Sequence, residues 1–196
     1  STIHTIIHPV LSLQRAADGS LIDVVARGEV RNAVLQEAIM LFEIDRQSDA
    51  DSLAALEEDL RRTIDEVRAA VEDWAPMRER LATIIDDLKR NPPPIDADEL
   101  EEGREFLEWL ADGHFTFLGY REYELLEEDD EAVVRWGPGP GLGTRRDTAL
   151  GERSVAFDSL SSDVREQAGT PRLLILTKAN ARARVHRPGY MDYVGI

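Results

Sequence analysis

The most regular pattern of apolar and polar residues lies between positions 49 and 74. Apolar side chains recur there at intervals of three or four residues, a spacing that is typical of an amphipathic helix. Asp49 or Asp51 can cap the start of this helix. We call the apolar residues of this stretch the seam: Leu53, Leu56, Leu60, Ile64, Val67, Val71 and Trp74. The pattern favours packing of the seam on a neighbouring sheet, and a coiled-coil or oligomer face is the alternative.

Two further helices are predicted after the seam. Pro76 can either kink the first helix or begin the second one, and the motif NPPP at 91–94 ends the second. Asp96 or Asp98 can cap the third helix, with Gly113 as its stop. The second helix has apolar positions at Met77, Leu81, Ile84, Ile85 and Leu88, and the third at Leu100, Phe106, Leu107 and Leu110.

Stretches with strand character flank the helices. Before them, residues 3–13 alternate loosely, DGS at 18–20 signals a turn, LIDVVARG at 21–28 is β-rich, and AIMLFEID at 38–45 is a candidate buried strand. These features predict a small antiparallel sheet. After the helices, HFTFLGYREYELL at 114–126 alternates like a strand, EEDDE at 127–131 predicts a loop, AVVRW at 132–136 a returning strand and RLLILTKA at 172–179 a buried strand. The predicted fold class is α+β.

Composition and charge limit the classes of function. The 196 residues are 42% apolar and 32% charged, with a net charge of −16 and no cysteine, which is typical of a folded protein of a reducing compartment. No apolar run approaches the roughly 18 residues of a membrane span, so we expect a cytoplasmic protein. Residues 96–131 carry fifteen acidic and two basic side chains. A surface of this kind repels phosphate backbones, so we expect no nucleic-acid partner.

The end of the sequence reverses this acidic character. Four cations fall within ten residues, and the motif HRPGY at 186–190 predicts a type II turn centred on Pro188 and Gly189. Such a turn would present a candidate anion site, although a purely structural turn is the alternative. We call the residues of interest here the basic segment: Lys178, Arg182, Arg184, His186, Arg187 and Tyr190. Arginine suits bidentate pairing with carboxylates, so we expect docking on an acidic surface such as 96–131, with an anionic effector as the alternative.

Two other features suggest chemistry without completing a site. GPGPGLGTRR at 137–146 is rich in glycine, but Pro138 and Pro140 remove two of the N–H donors that a phosphate cradle needs, so a flexible loop is predicted. His4 and His8 lack the further ligands that zinc requires. The usual nucleotide, acyl-transfer and metallohydrolase motifs are absent from the sequence. We therefore assign no catalytic, cofactor-binding or metal-binding residue.

Four blocks of the sequence resemble the sequences of a known protein family. They are IHPV at 7–10, FEIDRQ at 42–47, FLEWLADGHFTFLGYREYEL at 106–125 and LTKANARARVHRPGYMDYVGI at 176–196. Their content and order are similar to the N-terminal region of the very large bacterial NAD-specific glutamate dehydrogenases. The resemblance implies that glutamate oxidation to 2-oxoglutarate, with NAD as hydride acceptor, is performed by a Rossmann domain further along the polypeptide. The catalytic lysines and dinucleotide-binding glycines of the family have no counterpart here.

The resemblance also implies a division of the chain into three parts. Residues 1–75 look like a partial ACT-like module, in which 49–75 form the closing helix. Residues 76–94 are a helical connector, and 95–196 look like the start of a second, PAS-like module. The implied function is a non-catalytic regulatory and assembly segment, whose partners are the rest of the polypeptide and other subunits, with an amino acid as candidate effector. The alternatives are a stand-alone sensor of an amino acid or anion and a pure oligomerisation domain.

Overall fold

Small antiparallel sheets precede and follow a run of three helices, and this segregation of strands and helices confirms the α+β class. The computed structural model describes residues 2–26, 34–128, 131–137, 139–146, 154–156 and 172–196. The chain divides into two units, which we call unit 1 (Ser1–Leu56) and unit 2 (Glu57–Ile196). The sequence-based partition at residues 75 and 94 stays a prediction.

Unit 1 is built mainly from antiparallel strands. Strand β2 lies between β3 and β4 in a three-stranded sheet, and β1 pairs with β5 in a separate ladder. The predicted turn at 18–20 is confirmed: the Asp18 carboxylate accepts hydrogen bonds from the backbone and hydroxyl of Ser20, and Gly19 adopts a φ of 83°. The strands are β1 (Ile3–Ile7), β2 (Val10–Arg15), β3 (Leu21–Val25), β4 (Val34–Ala38) and β5 (Leu41–Ile44).

The apolar side chains of unit 1 are only partly buried. Leu13 and Val25, on adjacent strands of the three-stranded sheet, are almost fully inaccessible. The stretch 38–45 was predicted to be a buried strand, and this was wrong. It holds the end of β4 and the whole of β5, where Leu41 is 58% and Phe42 42% exposed. Strand β5 pairs with β1 alone among the described residues, so within unit 1 it is an edge strand of a two-stranded ladder.

Three helices follow, near the positions that the sequence predicted. Helix α1 is Ala50–Glu72, α2 is Trp74–Arg90 and α3 is Ala97–Trp109, and α3 continues into a π-helical turn, Leu110–His114. The Asp49 carboxylate accepts a hydrogen bond from the Ser52 N–H, and Asp96 caps α3 in the same way through the N–H of Asp98. Pro76 is the third residue of α2, and Gly113, with a φ of 85°, ends the π-helical turn. The starts at Asp49 and Asp96 and the stop at Gly113 are thus confirmed. Pro76 was predicted to kink the first helix or to begin the second, and this was wrong, because α1 ends at Glu72 and α2 begins at Trp74.

The seam lies on the surface of the chain rather than in a core. Its seven side chains, from Leu53 to Trp74, are between 37% and 70% exposed. Ala70, beside the seam, is the one side chain of α1 that is buried. The prediction that Leu60 and Ile64 are core residues was wrong for this chain, because an amphipathic spacing fixes which residues share a face and not what covers that face.

The core of unit 2 forms between α2 and the end of α3. Leu107 and Leu110 are 0% and 2% exposed, and they contact Leu81 and Ile85 of α2. Phe115, Phe117 and Val194 pack around this cluster. The apolar positions predicted for the second and third helices therefore lie in the core of unit 2, whereas those of the first helix do not.

The strands that the structure describes in unit 2 form three small antiparallel groups. Strand β8 lies between β7 and β10, β6 pairs with β9, and β11 pairs with β12. Their bounds are β6 (Gly119–Tyr120), β7 (Tyr123–Glu128), β8 (Glu131–Trp136), β9 (Leu142–Gly143), β10 (Ser154–Ala156), β11 (Ile175–Ala183) and β12 (Gly189–Gly195).

Three strand predictions for this unit need correction. The stretch 114–126 is not one strand, because it holds the end of the π-helical turn, the short β6 and the start of β7. Residues 127, 128 and 131 extend β7 and β8, and 129–130 of the predicted loop lie outside the described residues. The stretch 172–179 is not a buried strand: Leu173 is buried, but Leu176 in β11 is 55% exposed.

Candidate functional site

The basic segment forms the end of β11, the turn that follows it and the start of β12. Val185 is 5% exposed and anchors the turn, whereas His186 and Arg187 are exposed. The predicted type II turn is wrong, because Gly189 begins β12 and does not take the positive φ that this turn requires. His186 takes it instead, with a φ of 70°, and the Arg187 N–H donates to the Val185 carbonyl over 2.9 Å. The result is a three-residue γ-turn centred on His186.

The cations of the basic segment differ in the groups that they contact. Lys178 forms an ion pair with Asp192 on the neighbouring strand, and Arg184 donates to the Glu66 carboxylate of α1 over 2.8 Å. The guanidinium of Arg182 lies 5.1 Å from the centre of the Tyr190 ring. The carboxylates facing Lys178 and Arg184 are therefore outside the acidic stretch 96–131 that we had expected to supply them. Docking of the segment on another subunit stays a prediction.

A cavity of about 1000 Å³ lies in unit 2 between α2, the end of α3 and the hairpin β11–β12. His186, Arg187 and Tyr190 of the basic segment line it, whereas Lys178, Arg182 and Arg184 do not. The structure thus brings half of the predicted site residues to one cavity. Its volume is at the upper end of the range that is usual for small-molecule sites.

The glycine-rich stretch at 137–146 supplies a further cation to the cavity. Arg145 lines the cavity, and its side chain passes over Gly119, where an added Cβ would lie 2.8 Å from the Arg145 Cγ. The backbone carbonyl of Arg145 accepts a hydrogen bond from the Arg121 guanidinium, which itself stacks on the Trp136 ring at 3.9 Å. A side chain at position 119 would therefore displace Arg145.

An ionic contact, which we call the clasp, fixes the loop that carries Arg145. Asp73 lies between α1 and α2 and is 8% exposed. Its carboxylate accepts two hydrogen bonds from the Arg146 guanidinium, at 2.6 and 2.7 Å, and a third from the backbone N–H of Gly143 at 2.7 Å. Arg146 also reaches Glu72 over 2.9 Å. The hydrogen bonds from Arg146 hold the pKa of Asp73 below its usual value, so the carboxylate is charged at neutral pH.

The clasp corrects the expectation of a flexible loop at 137–146. Gly141 and Gly143 are buried, and Gly143 takes a φ of 59° at a point where an added Cβ would lie 2.3 Å from the Leu118 carbonyl oxygen. The loop is held in place by β6–β9 pairing and by Asp73. The Gly143 N–H is therefore bound to a protein carboxylate and is not part of a phosphate cradle; Pro138 lies outside the described residues.

Three carboxylates also face the cavity, and each has a partner within the chain. Asp87 accepts from the side chain of Asn91 at 2.8 Å, and Asp192 pairs with Lys178. Glu122 accepts a hydrogen bond from the hydroxyl of the half-buried Tyr120 at 2.7 Å. Burial and this hydrogen bond both raise the pKa of Tyr120, so the hydroxyl remains a donor at neutral pH. Lys178 offsets the charge of Asp192, whereas Asn91 and Tyr120 are neutral donors, which leave the charges of Asp87 and Glu122 in place.

Sequence reasoning missed Arg145 and Asp73 as residues of the site. The pair Arg145–Arg146 was visible, but its acidic partner is 73 residues away along the chain, at a helix junction. Tyr193 was also missed: burial raises the pKa of its hydroxyl, and the nearby Arg145 guanidinium partly offsets that rise. In the sequence, the adjacent arginines after the glycine-rich stretch were the one signal that pointed to this part of the candidate site.

The histidines noted in the sequence do not form a metal site in the described residues. His4 contacts the Asp45 carboxylate at 2.7 Å, and the structure shows no group of three or more histidines and carboxylates within the described ranges that could hold a metal ion. None of the described helices is both long and apolar enough to cross a membrane.

Comparison with known proteins gives a consistent family. Residues 1–60 match the glutamate dehydrogenase ACT1 domain. The whole chain aligns with the NAD-specific glutamate dehydrogenases of Pseudomonas aeruginosa, at 37% identity over 204 residues, and Halomonas elongata, at 32% over 196 residues. The enzyme of the same name from Mycobacterium tuberculosis is 26% identical over 123 residues, which is 62% of this chain and 8% of that enzyme. No solved structure matches the chain.

These matches define the class and then the family. The fold and the ACT1 match define an α+β chain with an ACT-like domain in its first 60 residues. The chain belongs to the family of the large NAD-specific glutamate dehydrogenases and corresponds to their N-terminal region. It spans 12% of the length of the Pseudomonas and Halomonas relatives.

Proposed function

We propose that this chain is a non-catalytic regulatory and assembly segment of a large NAD-dependent glutamate dehydrogenase in the cytoplasm. The match of residues 1–60 to an ACT1 domain carries the proposal, since the family places ACT-type modules in its regulatory half. Glutamate and NAD react in a catalytic domain that this chain does not contain, and NAD binds there. Residues 95–196 serve as the second, PAS-like regulatory module.

The exposed seam supports the assembly role. Leu60 and Ile64 are 47% and 39% exposed although they lie on a continuous apolar face, and such a face is stabilised when another surface covers it. The neighbouring charges are already paired within the helix, Arg61 with Glu57 at 2.8 Å and Arg62 with Glu58 at 3.4 Å. Covering the seam therefore leaves these ion pairs intact. We assign the seam to contact with other subunits of the enzyme.

A stand-alone sensor of an amino acid or anion is the second candidate function. The cavity in unit 2 favours it, because Arg145 and Arg187 face a space of about 1000 Å³. A pure oligomerisation domain, in contrast, predicts association without any response to a ligand. The following experiment separates these functions.

We expect the 196-residue chain to produce no NADH from glutamate and NAD, and to associate through the seam. Light scattering over a dilution series should show a mass that rises with concentration. Leu60→Asp places a charge on the seam and should yield a monomer that melts at the same temperature as the parent does at dilutions where the parent is monomeric, because the side chain is 47% exposed in the single chain. Ala55→Asp makes the same charge change away from the seam and is the matched control.

Two results would contradict this proposal. Turnover of glutamate by a clean preparation of the chain would show that it is catalytic. A mass that is identical in the parent, Leu60→Asp and Ala55→Asp at every concentration would remove the seam from assembly. The addition of glutamate or aspartate to the same samples tests the sensor function, since a raised melting temperature indicates binding to the folded state.

A further inference from the structure

We propose that the cavity in unit 2 binds a small organic anion, and that Arg145 and Arg187 bind its carboxylate or phosphate group. The proposal deepens the regulatory function above and rests on it for its biological role. The binding itself is argued from the cavity alone, and it concerns unit 2 rather than the ACT1 match in residues 1–60.

Four arginines line the cavity: Arg90 and Arg121 donate to the backbone carbonyls of Asp86 and Arg145, whereas the guanidinium groups of Arg145 and Arg187 have no such acceptor in the part of the chain that the structure describes. Among the described residues, neither guanidinium forms an ion pair or a side-chain hydrogen bond. Arg184, two residues before His186, is by contrast held by Glu66, and Arg146, next to Arg145, is held by Asp73. Guanidinium groups present a planar fork of donors that matches carboxylate and phosphate oxygens. Two such forks from separate elements therefore face one cavity.

The backbone at both arginines is fixed before any ligand arrives. The clasp and the β6–β9 pairing hold the loop of Arg145. The γ-turn and the buried Val185 hold the turn of Arg187. A site whose backbone is already ordered loses less entropy on binding. The two arginines thus have the positions of ligand-binding residues rather than of mobile surface charges.

The electrostatics of the cavity also favour an anion. Asp192 and Glu122 lie near Lys178 and Arg80, two cations that do not line the cavity, at an N–O separation of 3.9 Å for Arg80 and Glu122. Their charges are thus offset from outside the cavity, whereas Asp87, whose partner Asn91 is neutral, keeps its charge and is outnumbered by the four arginines of the lining. The arginines of the lining keep their positive charge within a chain whose net charge is −16. Local attraction for an anion therefore persists against the overall repulsion.

The apolar and aromatic residues of the cavity lining indicate what the rest of the ligand is like. Leu81 and Leu110 belong to the buried core and reach the cavity from the helices, and Phe117 lies beside them. These groups favour an apolar carbon skeleton rather than a bare inorganic ion. Tyr190 and Tyr193 add half-exposed rings and hydroxyls. The chemistry that fits is an organic acid or organic phosphate of metabolite size.

The test is a titration of the 196-residue chain with small-molecule probes. Binding is measured by isothermal titration calorimetry and by the change in melting temperature. The carboxylate probes are glutamate, aspartate and 2-oxoglutarate, the phosphate probes are adenosine monophosphate and inorganic phosphate, and glutamine is the probe without a side-chain carboxylate. The variants are Arg145→Gln and Arg187→Gln. Arg184→Gln is the matched control, because it removes the same charge from the same turn but does not line the cavity.

We expect at least one organic probe to bind saturably, with a dissociation constant that is about tenfold to 100-fold weaker in Arg145→Gln and in Arg187→Gln. Arg184→Gln should bind as the parent does. The proposal is overturned if no probe binds at millimolar concentration, or if all three variants bind equally. Repeating the titration in the Leu60→Asp background separates it from assembly: binding that persists in a monomer supports the cavity even if the seam assignment fails.

Discussion

Leu107→Ala should destabilise unit 2 by roughly 2 to 5 kcal/mol. The Leu107 side chain is 0% exposed and lies at the centre of the cluster with Leu81, Ile85 and Leu110. Shortening it leaves a cavity, because a close-packed core relaxes only partly around the missing atoms. Urea denaturation followed by circular dichroism, at concentrations where the chain is monomeric, measures this loss.

Leu60→Ala is the matched control for that measurement. It removes the same atoms from a side chain that is 47% exposed, so we expect a loss below about 1 kcal/mol in the monomer. Equal losses in the two variants would show that the seam is buried within the single chain, and the assembly proposal would lose its main support.

Asp73→Ala should cost roughly 2 to 3 kcal/mol and release the loop that carries Arg145. The substitution removes both hydrogen bonds from Arg146 and leaves the buried Gly143 N–H without an acceptor. The estimate is below that for a fully buried ion pair, because the Arg146 side chain is 41% exposed and water screens it. Glu72→Ala, which removes the exposed outer partner of Arg146, is the control and should cost less than about 1 kcal/mol.

The same clasp gives a defined dependence of stability on pH. Arg146 lowers the pKa of Asp73 in the folded chain relative to the unfolded value near 4. A carboxyl whose pKa is lowered by folding contributes its full stability above the unfolded pKa and loses it as the pH falls through the folded pKa. The free-energy difference between the parent and Asp73→Asn should therefore be constant near neutral pH and shrink below about pH 4. A difference that stays constant down to pH 2 would mean that the charge of Asp73 does not contribute to the stability of the fold.

Local signals predicted the helices well because their causes are local. Asp49 and Asp96 cap through hydrogen bonds within three residues, and Gly113 ends a helical turn by its own positive φ. The apolar spacing of α2 and α3 also identified Leu81, Leu107 and Leu110 as core residues. The same reasoning failed for the seam, because a spacing of three and four residues is common to core helices and to helices that pack on other subunits.

The candidate site was only partly predictable, since its parts come from distant positions. His186, Arg187 and Tyr190 were identified because they are close together in the sequence. Arg145 and Asp73 required the tertiary fold, which joins a glycine-rich loop to a helix junction. The turn type was predicted wrongly because Pro–Gly favours a type II turn, whereas the chain places its positive φ on His186, an uncommon conformation for a residue with a side chain.

The hydrogen bond from Gly143 to Asp73 has a consequence for measurement. Amides in glycine-rich loops normally exchange their protons with water within moments, because nothing shields them. The Gly143 N–H, however, is buried and bound to the carboxylate at the junction of α1 and α2 over 2.7 Å. Its rate of deuterium exchange therefore reports each opening of that junction. A single backbone signal can follow how firmly the cavity loop is attached to the helices while subunits or ligands are added.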